Sequence, residues 1–171
     1  MQYLHKCKHY LSKDIKMWKN LALGSLILWL LTLGATGYFF INGSTDKSDD
    51  GRLSVSLKKD ERNHILREMR QLLSGVQVIL EALTTNDLKV VEKTASSLGM
   101  RSAADVNPAL IAKLPLEFKS IGMSVHERFD EIAQNIHSGK MNKEQVLHEV
   151  SDIMLTCVGC HEAYRLDEVR E

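Results

Sequence analysis

An uncharged apolar run near the N-terminus constrains this chain more than any other feature. Residues 21–41, which read LALGSLILWLLTLGATGYFFI, contain no Asp, Glu, Lys or Arg. A run of this length crosses the hydrocarbon core of a bilayer as a helix. Trp18 and Tyr38 lie near its two ends, where aromatic rings favour the membrane interface. We therefore expect a single transmembrane anchor over residues 21–41.

The charge before this run predicts its orientation. Residues 1–20 carry five lysines and one acidic residue, whereas the whole chain has a formal net charge of zero. Positive charge flanking a transmembrane helix stays on the cytoplasmic side. We expect a basic cytoplasmic N-terminus over residues 1–20, a single pass through the inner (cytoplasmic) membrane, and a periplasmic remainder.

A cleaved signal peptide is the alternative interpretation of the same run. A signal peptide has a shorter apolar region and a cleavage site of small residues. The nearest candidate here, Gly34-Ala35-Thr36, matches such a site poorly. We favour an uncleaved anchor, and both interpretations place the rest of the chain outside the cytoplasm.

The remaining sequence predicts one helical domain behind a linker. Residues 42–55 are rich in Gly, Ser and Asp and predict a flexible linker. Apolar residues then recur at spacings of three and four over residues 56–84, 87–98, 116–137 and 142–167. Ser56 is a plausible N-cap of the first of these helices. We find no strand pattern, so we expect an all-α fold: an antiparallel four-helix bundle over residues 56–171.

The motif with the clearest chemical meaning lies close to the C-terminus, at Cys157-Val158-Gly159-Cys160-His161. C-x-x-C-H is the attachment signature of a c-type haem, and its thiols share one face of a helix. A zinc site would need a second pair of ligands, and the only other cysteine is Cys7. A thioredoxin-type pair would need a βαβ setting. The motif therefore predicts one covalently attached haem c.

The residues around this motif resemble a known family. The segment C-V-G-C-H-E-A-Y-R at residues 157–165 matches C-x-x-C-H-x-x-Y-R, which is typical of the last helix of the class II c-type cytochromes, the cytochrome c prime family. The resemblance covers about residues 56–170 and is specific only in this last segment. It implies a four-helix haem domain and is consistent with a homodimer. The membrane anchor departs from the family's usual soluble members.

The resemblance also implies roles for individual residues. It implies that Cys157 and Cys160 form the thioethers, that His161 is the proximal iron ligand, and that Arg165 lies near the proximal side of the haem. It nominates Met69 as a sixth iron ligand, although a methionine at helical spacing is also ordinary core filling. His126 is a second candidate on the distal side, for which we favour a surface or rim position.

These features lead to three hypotheses about function. The first is one-electron transfer with redox partner proteins of a respiratory chain. The second is a five-coordinate haem that binds NO or CO, and the third is a haem-bearing subunit of a respiratory complex. The sequence shows no acid–base pair or nucleophile arrangement, so we expect no enzyme. The balanced charge gives no indication of nucleic-acid binding.

Overall fold

A computed structural model describes residues 2–104 and 106–169, and the side chains within 17–104 and 106–169. This part of the chain is mostly helical, with one N-terminal apolar helix and a small three-stranded sheet. The chain forms two compact units, Met1–Tyr38 and Phe39–Glu171.

The N-terminal helix, α1, is Gln2–Asn42. Its segment Met17–Asn42 is long and apolar enough to span a membrane, with a mean hydropathy of 1.7. None of this segment is buried, and large side chains such as Leu28 and Trp29 are exposed. Apolar side chains of this size remain exposed in water only at a large free-energy cost, which burial in a lipid bilayer removes. A signal sequence near the N-terminus can meet the same criterion of length and hydropathy.

The second unit contains five helices among its described residues. They are α2 (Lys59–Thr84), α3 (Leu88–Leu98), α4 (Pro108–Lys113), α5 (Leu116–His137) and α6 (Lys143–Ala163). Helix α2 packs on α3 and α6, and α5 packs on the same two helices. The predicted helices over 87–98 and 116–137 are confirmed to within one residue at each end. The short helix α4 lies in a stretch that shows no helical periodicity.

Side-chain caps begin several of these helices. The Asp87 carboxylate accepts from Val90 N at 3.1 Å, and Asn142 forms a reciprocal pair of hydrogen bonds with Gln145 at the start of α6. Such caps satisfy backbone N–H groups that have no partner within the helix. The predicted N-cap at Ser56 is wrong, because Ser56 belongs to a strand and α2 begins at Lys59.

A three-stranded sheet replaces the predicted linker and the end of the predicted last helix. Its strands are β1 (Thr45–Lys47), β2 (Leu53–Leu57) and β3 (Tyr164–Glu168). Strand β2 is central, antiparallel to β1 and parallel to β3. The expectation of residues 42–55 as an irregular linker is corrected here, because β2 buries Val55 and Leu57 completely.

The pairing of β2 with β3 also shortens the last helix. Helix α6 ends at Ala163, whereas the sequence predicts a helix to residue 167. Leu53 lies beside Tyr164 and Leu57 beside Glu168 in the parallel register. Ser54 Oγ donates to Asp167 Oδ2 at 2.6 Å across the two strands. Long-range pairing has overridden the local helical pattern here.

Two clusters of buried apolar side chains form the core of the second unit. The helical core, between α2, α3, α5 and α6, consists of Val76, Ile79, Ala82, Leu83, Val91, Ala95, Leu98, Val125, Phe129, Ile132, Ala133, Val146, Val150 and Ile153. The sheet-side core consists of Val55, Leu57, Ile65, Leu110, Leu114, Phe118 and Tyr164.

Candidate cofactor-binding site

The sheet holds the end of α6 on which the C-x-x-C-H motif lies. A helix leaves its last carbonyl groups without partners inside the helix. Tyr164 N donates to the carbonyl of Cys160, and the guanidinium of Arg52 donates to the carbonyl of His161 at 3.2 Å. Tyr164 at the start of β3 and Arg52 just before β2 thus satisfy carbonyl groups at the end of the motif.

The side chain of Tyr164 adds a second attachment, to α5. It is buried in the sheet-side core, and its hydroxyl donates to Glu117 Oε2 at 2.9 Å. Its ring meets Phe118 edge to face, with centroids 5.4 Å apart. Burial and the hydrogen bond to Glu117 together raise the pKa of Tyr164 to about 12. Tyr164 thus packs in the sheet-side core from a strand.

The two motif cysteines lie at the junction of the two cores. Both are free thiols and half-buried; Cys157 packs against the helical core and Cys160 against the sheet-side core. Burial raises the pKa of both thiols above the ordinary value. Reactive redox cysteines and zinc ligands need the thiolate, which a raised pKa disfavours. This environment therefore does not favour a redox-active thiol pair.

An apolar cavity of about 210 Å³ adjoins the motif. Cys157, Cys160 and His161 of α6 line it, together with Met69 of α2. Its other apolar side chains come from α2, α4, α5 and the segments on either side of α4, and they are Ile65, Leu72, Ala103, Val106, Leu110, Ile111, Leu114, Phe118, Ile121, Met123 and Val125. Water is a poor occupant of such a space, so the lining suits a largely apolar ligand.

The cavity brings together four of the five residues that the sequence nominates for the site. Cys157, Cys160, His161 and Met69 share it, although they come from two helices far apart in sequence. His161 is exposed, whereas the other three are half-buried. The position of Met69 three residues before Leu72 keeps both on the cavity face of α2.

Arg165 does not line this cavity. The sequence places it one helical turn after His161, but the helix ends first, so Arg165 belongs to β3. Its guanidinium pairs with Asp167 at 3.0 Å and with Asp50 at 3.2 Å. The hydrogen bond to Asp167 is the main cause of the raised pKa of Arg165. Arg165 here joins β3 to the turn between β1 and β2.

His126 differs from its predicted surface or rim position. Only 8 % of this residue is exposed, and it is among the residues that line the cavity. Its Nδ1 lies 2.6 Å from the carbonyl oxygen of Leu98. The sequence contains a signal for this burial, because His126 precedes the fully buried Phe129 by three residues and therefore shares its helix face.

The described residues contain no group of three or more His, Cys, Asp and Glu side chains that could hold a bare metal ion. A haem differs from a bare ion in this respect, since the porphyrin supplies four of the iron ligands and the protein supplies one or two. The arrangement of two thiols, an imidazole and an apolar wall therefore suits a haem better than a zinc ion.

Comparison with known proteins adds no assignment. No protein-family model matches this chain, and neither does any curated protein or solved structure.

Proposed function

We propose that this protein is a membrane-anchored, monohaem c-type cytochrome that transfers one electron at a time. The observation that carries the proposal is the shared cavity, which has Cys157, Cys160 and His161 in the wall of a largely apolar space. Without an adjoining cavity, the C-x-x-C-H motif could equally lie on a solvent-exposed face of a helix. An adjoining apolar cavity is what a porphyrin ring needs in order to leave water.

We further propose that α2, α3, α5 and α6 form a four-helix bundle of the class II cytochrome type. Each of these helices packs on two of the others, and the C-x-x-C-H motif lies at the end of the last one. Bundles of this kind hold cofactors between facing helices. The cavity is lined by α2, α5 and α6, which supports this assignment.

The two thiols and the imidazole are the groups that haem c needs for its attachment. The size of the cavity is a second requirement. Each thiol can add across one vinyl group, forming a carbon–sulfur bond while its hydrogen passes to the neighbouring carbon. The volume of about 210 Å³ is below the roughly 300–1,000 Å³ typical of sites for ligands of drug size. Binding of a porphyrin would therefore require the wall of the cavity to open.

The protein's own residues would bind, orient and insulate the haem. When bound, haem c supplies reversible one-electron chemistry at its iron. His161 would donate its imidazole to the iron, and the apolar lining would exclude water and so influence the reduction potential. Met69 lies in the same cavity and is the sixth ligand that the family resemblance nominates. An open sixth position would instead favour binding of NO or CO.

We propose that α1 anchors the protein in the inner membrane with its N-terminus in the cytoplasm. The length and hydropathy of Met17–Asn42 and the lysines before residue 21 support this arrangement. It puts the cysteines in the compartment where bacteria attach haem c, and it brings the domain close to the redox proteins of a respiratory chain. Protease added to spheroplasts should then digest the domain, and a carbonate wash should leave the protein in the membrane.

Expression of the full chain together with a haem c maturation system tests the haem assignment. The wild type should retain haem absorbance after denaturation and extraction, and a potentiometric titration should follow a one-electron curve. The double variant Cys157→Ser/Cys160→Ser should lose all covalently bound haem. Cys7→Ser is the matched control and should keep it. A wild-type protein without covalent haem under these conditions would overturn the proposal.

A further inference from the structure

The last turn of α1 is in direct contact with α5. Phe40 lies two residues before the end of α1, and its carbonyl oxygen accepts from Lys119 Nζ at 3.2 Å. The same ammonium group lies over the Phe40 ring, 4.1 Å from its centroid. Carbonyl groups at a helix end have no partner within the helix, and an aromatic face attracts a cation. Lys119 therefore holds the last turn of α1 at the start of α5.

The residues that follow α1 are held by the turn between α4 and α5. Gly43 has a φ of +63°, and its backbone lies so close to Lys113, Leu114 and Pro115 that a Cβ has no room. Only glycine meets both of these conditions without strain. Ser44 N donates to the carbonyl of Lys113 at 2.7 Å. The chain therefore passes from α1 into the sheet without a flexible segment.

Exposed apolar side chains lie on either side of Lys119 along α5. Leu116 precedes it by three residues and Met123 follows it by four, so the three side chains share one face of the helix. Leu116 is 39 % exposed and Met123 is 45 % exposed. Phe40 and Ile41, at the end of α1, are more than half exposed. Lys119 thus connects two helices that both leave apolar side chains uncovered.

The position of Phe40 along α1 sets the level of this face relative to a bilayer. A helix needs about 20 apolar residues to cross the hydrocarbon core, and the uncharged run is residues 21–41. In the proposed membrane arrangement, Phe40 then lies at the boundary between the hydrocarbon and the headgroups. Lys119 contacts Phe40 and therefore lies at headgroup level. There its methylene groups can cover apolar surface while its ammonium stays in water.

The geometry points to the face of α5 that carries Leu116, Lys119 and Met123 as a surface in contact with the lipid bilayer. This inference rests on the proposed membrane anchor and adds a second contact to it. The apolar side chains would enter the boundary between headgroups and acyl chains, as those of interfacial helices do. Lys119 and Met123 also line the cavity beside the motif, so one edge of that cavity would lie next to the membrane.

Met154 on α6 is a matched control for Met123, because 42 % of Met154 is exposed and 45 % of Met123. The full-length protein would be placed in nanodiscs of phosphatidylethanolamine and phosphatidylglycerol and treated with a water-soluble methionine oxidant. Mass spectrometry would follow the oxidation of both side chains. Similar exposure to water predicts similar oxidation rates, whereas contact with the bilayer predicts slower oxidation of Met123. Equal rates would overturn the inference.

A phospholipid with a photoreactive diazirine near its headgroup, added to the same nanodiscs, identifies what covers Met123. We expect lipid adducts within residues 116–123 and none within residues 138–142, which follow the other end of the 22-residue helix α5, about 33 Å away. Protection of Met123 without lipid adducts would indicate another cover and overturn the inference.

The same labelling separates this inference from the proposed function. Adducts in α1 but none within residues 116–123 would overturn the inference and leave the membrane anchor in place. Absence of adducts from α1 as well would remove the anchor and this inference together. Neither outcome changes the haem assignment, which depends on the motif cysteines.

Discussion

The helical core and the sheet-side core are built from similar apolar residues but differ in how completely they are closed. In the helical core, Ile79, Phe129 and Ile132 have no exposed surface. In the sheet-side core, Val55 and Leu57 are equally buried. Four of its seven side chains nevertheless line the cavity, namely Ile65, Leu110, Leu114 and Phe118, whereas Val125 alone does so in the helical core. Cavity walls lose contacts that a close-packed interior would make. We infer that the first core stabilises the domain, whereas the second leaves room for a ligand.

The motif on α6 joins these two regions. Cys157 packs against the helical core and Cys160 against the sheet-side core, although the two residues are only three apart. A ligand bonded to both thiols would therefore contact the helical core and fill the cavity beside the sheet-side core. A haem at this place, as proposed, would fill the space between α2, α5 and α6 beside the sheet-side core.

Two phenylalanines on α5 provide the most sensitive test of this difference. Phe129→Ala in the helical core should lower the free energy of unfolding by about 3–5 kcal/mol. Phe118→Ala should cost at least about 1 kcal/mol less, because Phe118 already faces the cavity on one side. Guanidinium denaturation of the haem-free protein in detergent, followed by circular dichroism, would measure both. Equal losses would contradict a difference in packing between the two cores.

Removal of the Tyr164 hydroxyl should have a smaller effect. Tyr164→Phe keeps the ring contact with Phe118 but loses the hydrogen bond to Glu117, so we expect a loss of about 0.5–1.5 kcal/mol at neutral pH. The pKa of Tyr164 is raised from 10.0 to about 12. The stabilisation is therefore complete below pH 10 and is lost as the pH rises towards 12.

The free energy of unfolding, measured between pH 8 and 12, tests whether the stabilisation by Tyr164 is lost as the pH rises. The wild type should lose more stability over that interval than Tyr164→Phe, since lysine titration is common to both proteins. If the variant has the same pH dependence as the wild type, the Tyr164–Glu117 pair does not stabilise the end of α6.

The ion pair between α2 and α4 should contribute still less. Lys113 Nζ donates to both carboxylate oxygens of Glu61, at 2.6 and 2.7 Å, and this hydrogen bonding lowers the pKa of Glu61 below its ordinary value of 4.5. Both side chains are partly exposed, so Lys113→Met should cost about 1 kcal/mol at most.

The stabilisation by Glu61 is present above its unfolded-state pKa and is lost as the pH falls through the lower folded-state pKa. Glu61→Gln should therefore show a weaker loss of stability on acidification below pH 4.5 than the wild type. High salt should reduce the difference between the two proteins. A difference that grows with salt would contradict this electrostatic explanation.

The smallest effect is expected on the exposed face of α6. Leu147 is 50 % exposed and belongs to neither core. Leu147→Ala should change the free energy of unfolding by no more than about 0.5 kcal/mol and should leave haem attachment unchanged. A large loss, measured by the same denaturation experiment, would indicate that this face is covered by another protein surface.

Helices with a sustained apolar face were predictable, whereas elements that depend on distant pairing were not. The stripe through Phe118, Val125 and Phe129 predicted α5 with its observed bounds. Strand β2 carries an alternating signal in Leu53-Ser54-Val55-Ser56-Leu57, which the surrounding Gly, Ser and Asp residues obscured. Strand β3 exists only because β2 lies beside it, and β2 is more than a hundred residues away.

The same distinction holds for the candidate site: positions set within one helix were predictable, and positions set by distant elements were not. Spacing within one helix was enough to group Cys157, Cys160 and His161. Met69 lines the same cavity, and its role as an iron ligand stays a prediction. Arg165 was misplaced because the predicted helix did not end where β3 begins. His126 was misjudged because its burial depends on the carbonyl of Leu98 at the end of another helix.

Mass spectrometry of the peptide that contains residues 157–161 is the most direct test of the central claim. The protein should be produced with the haem c maturation system, reduced, alkylated and digested. We predict a peptide that carries one haem on Cys157 and Cys160, with neither thiol alkylated. An unmodified peptide with both thiols alkylated would contradict the assignment of this protein as a c-type cytochrome.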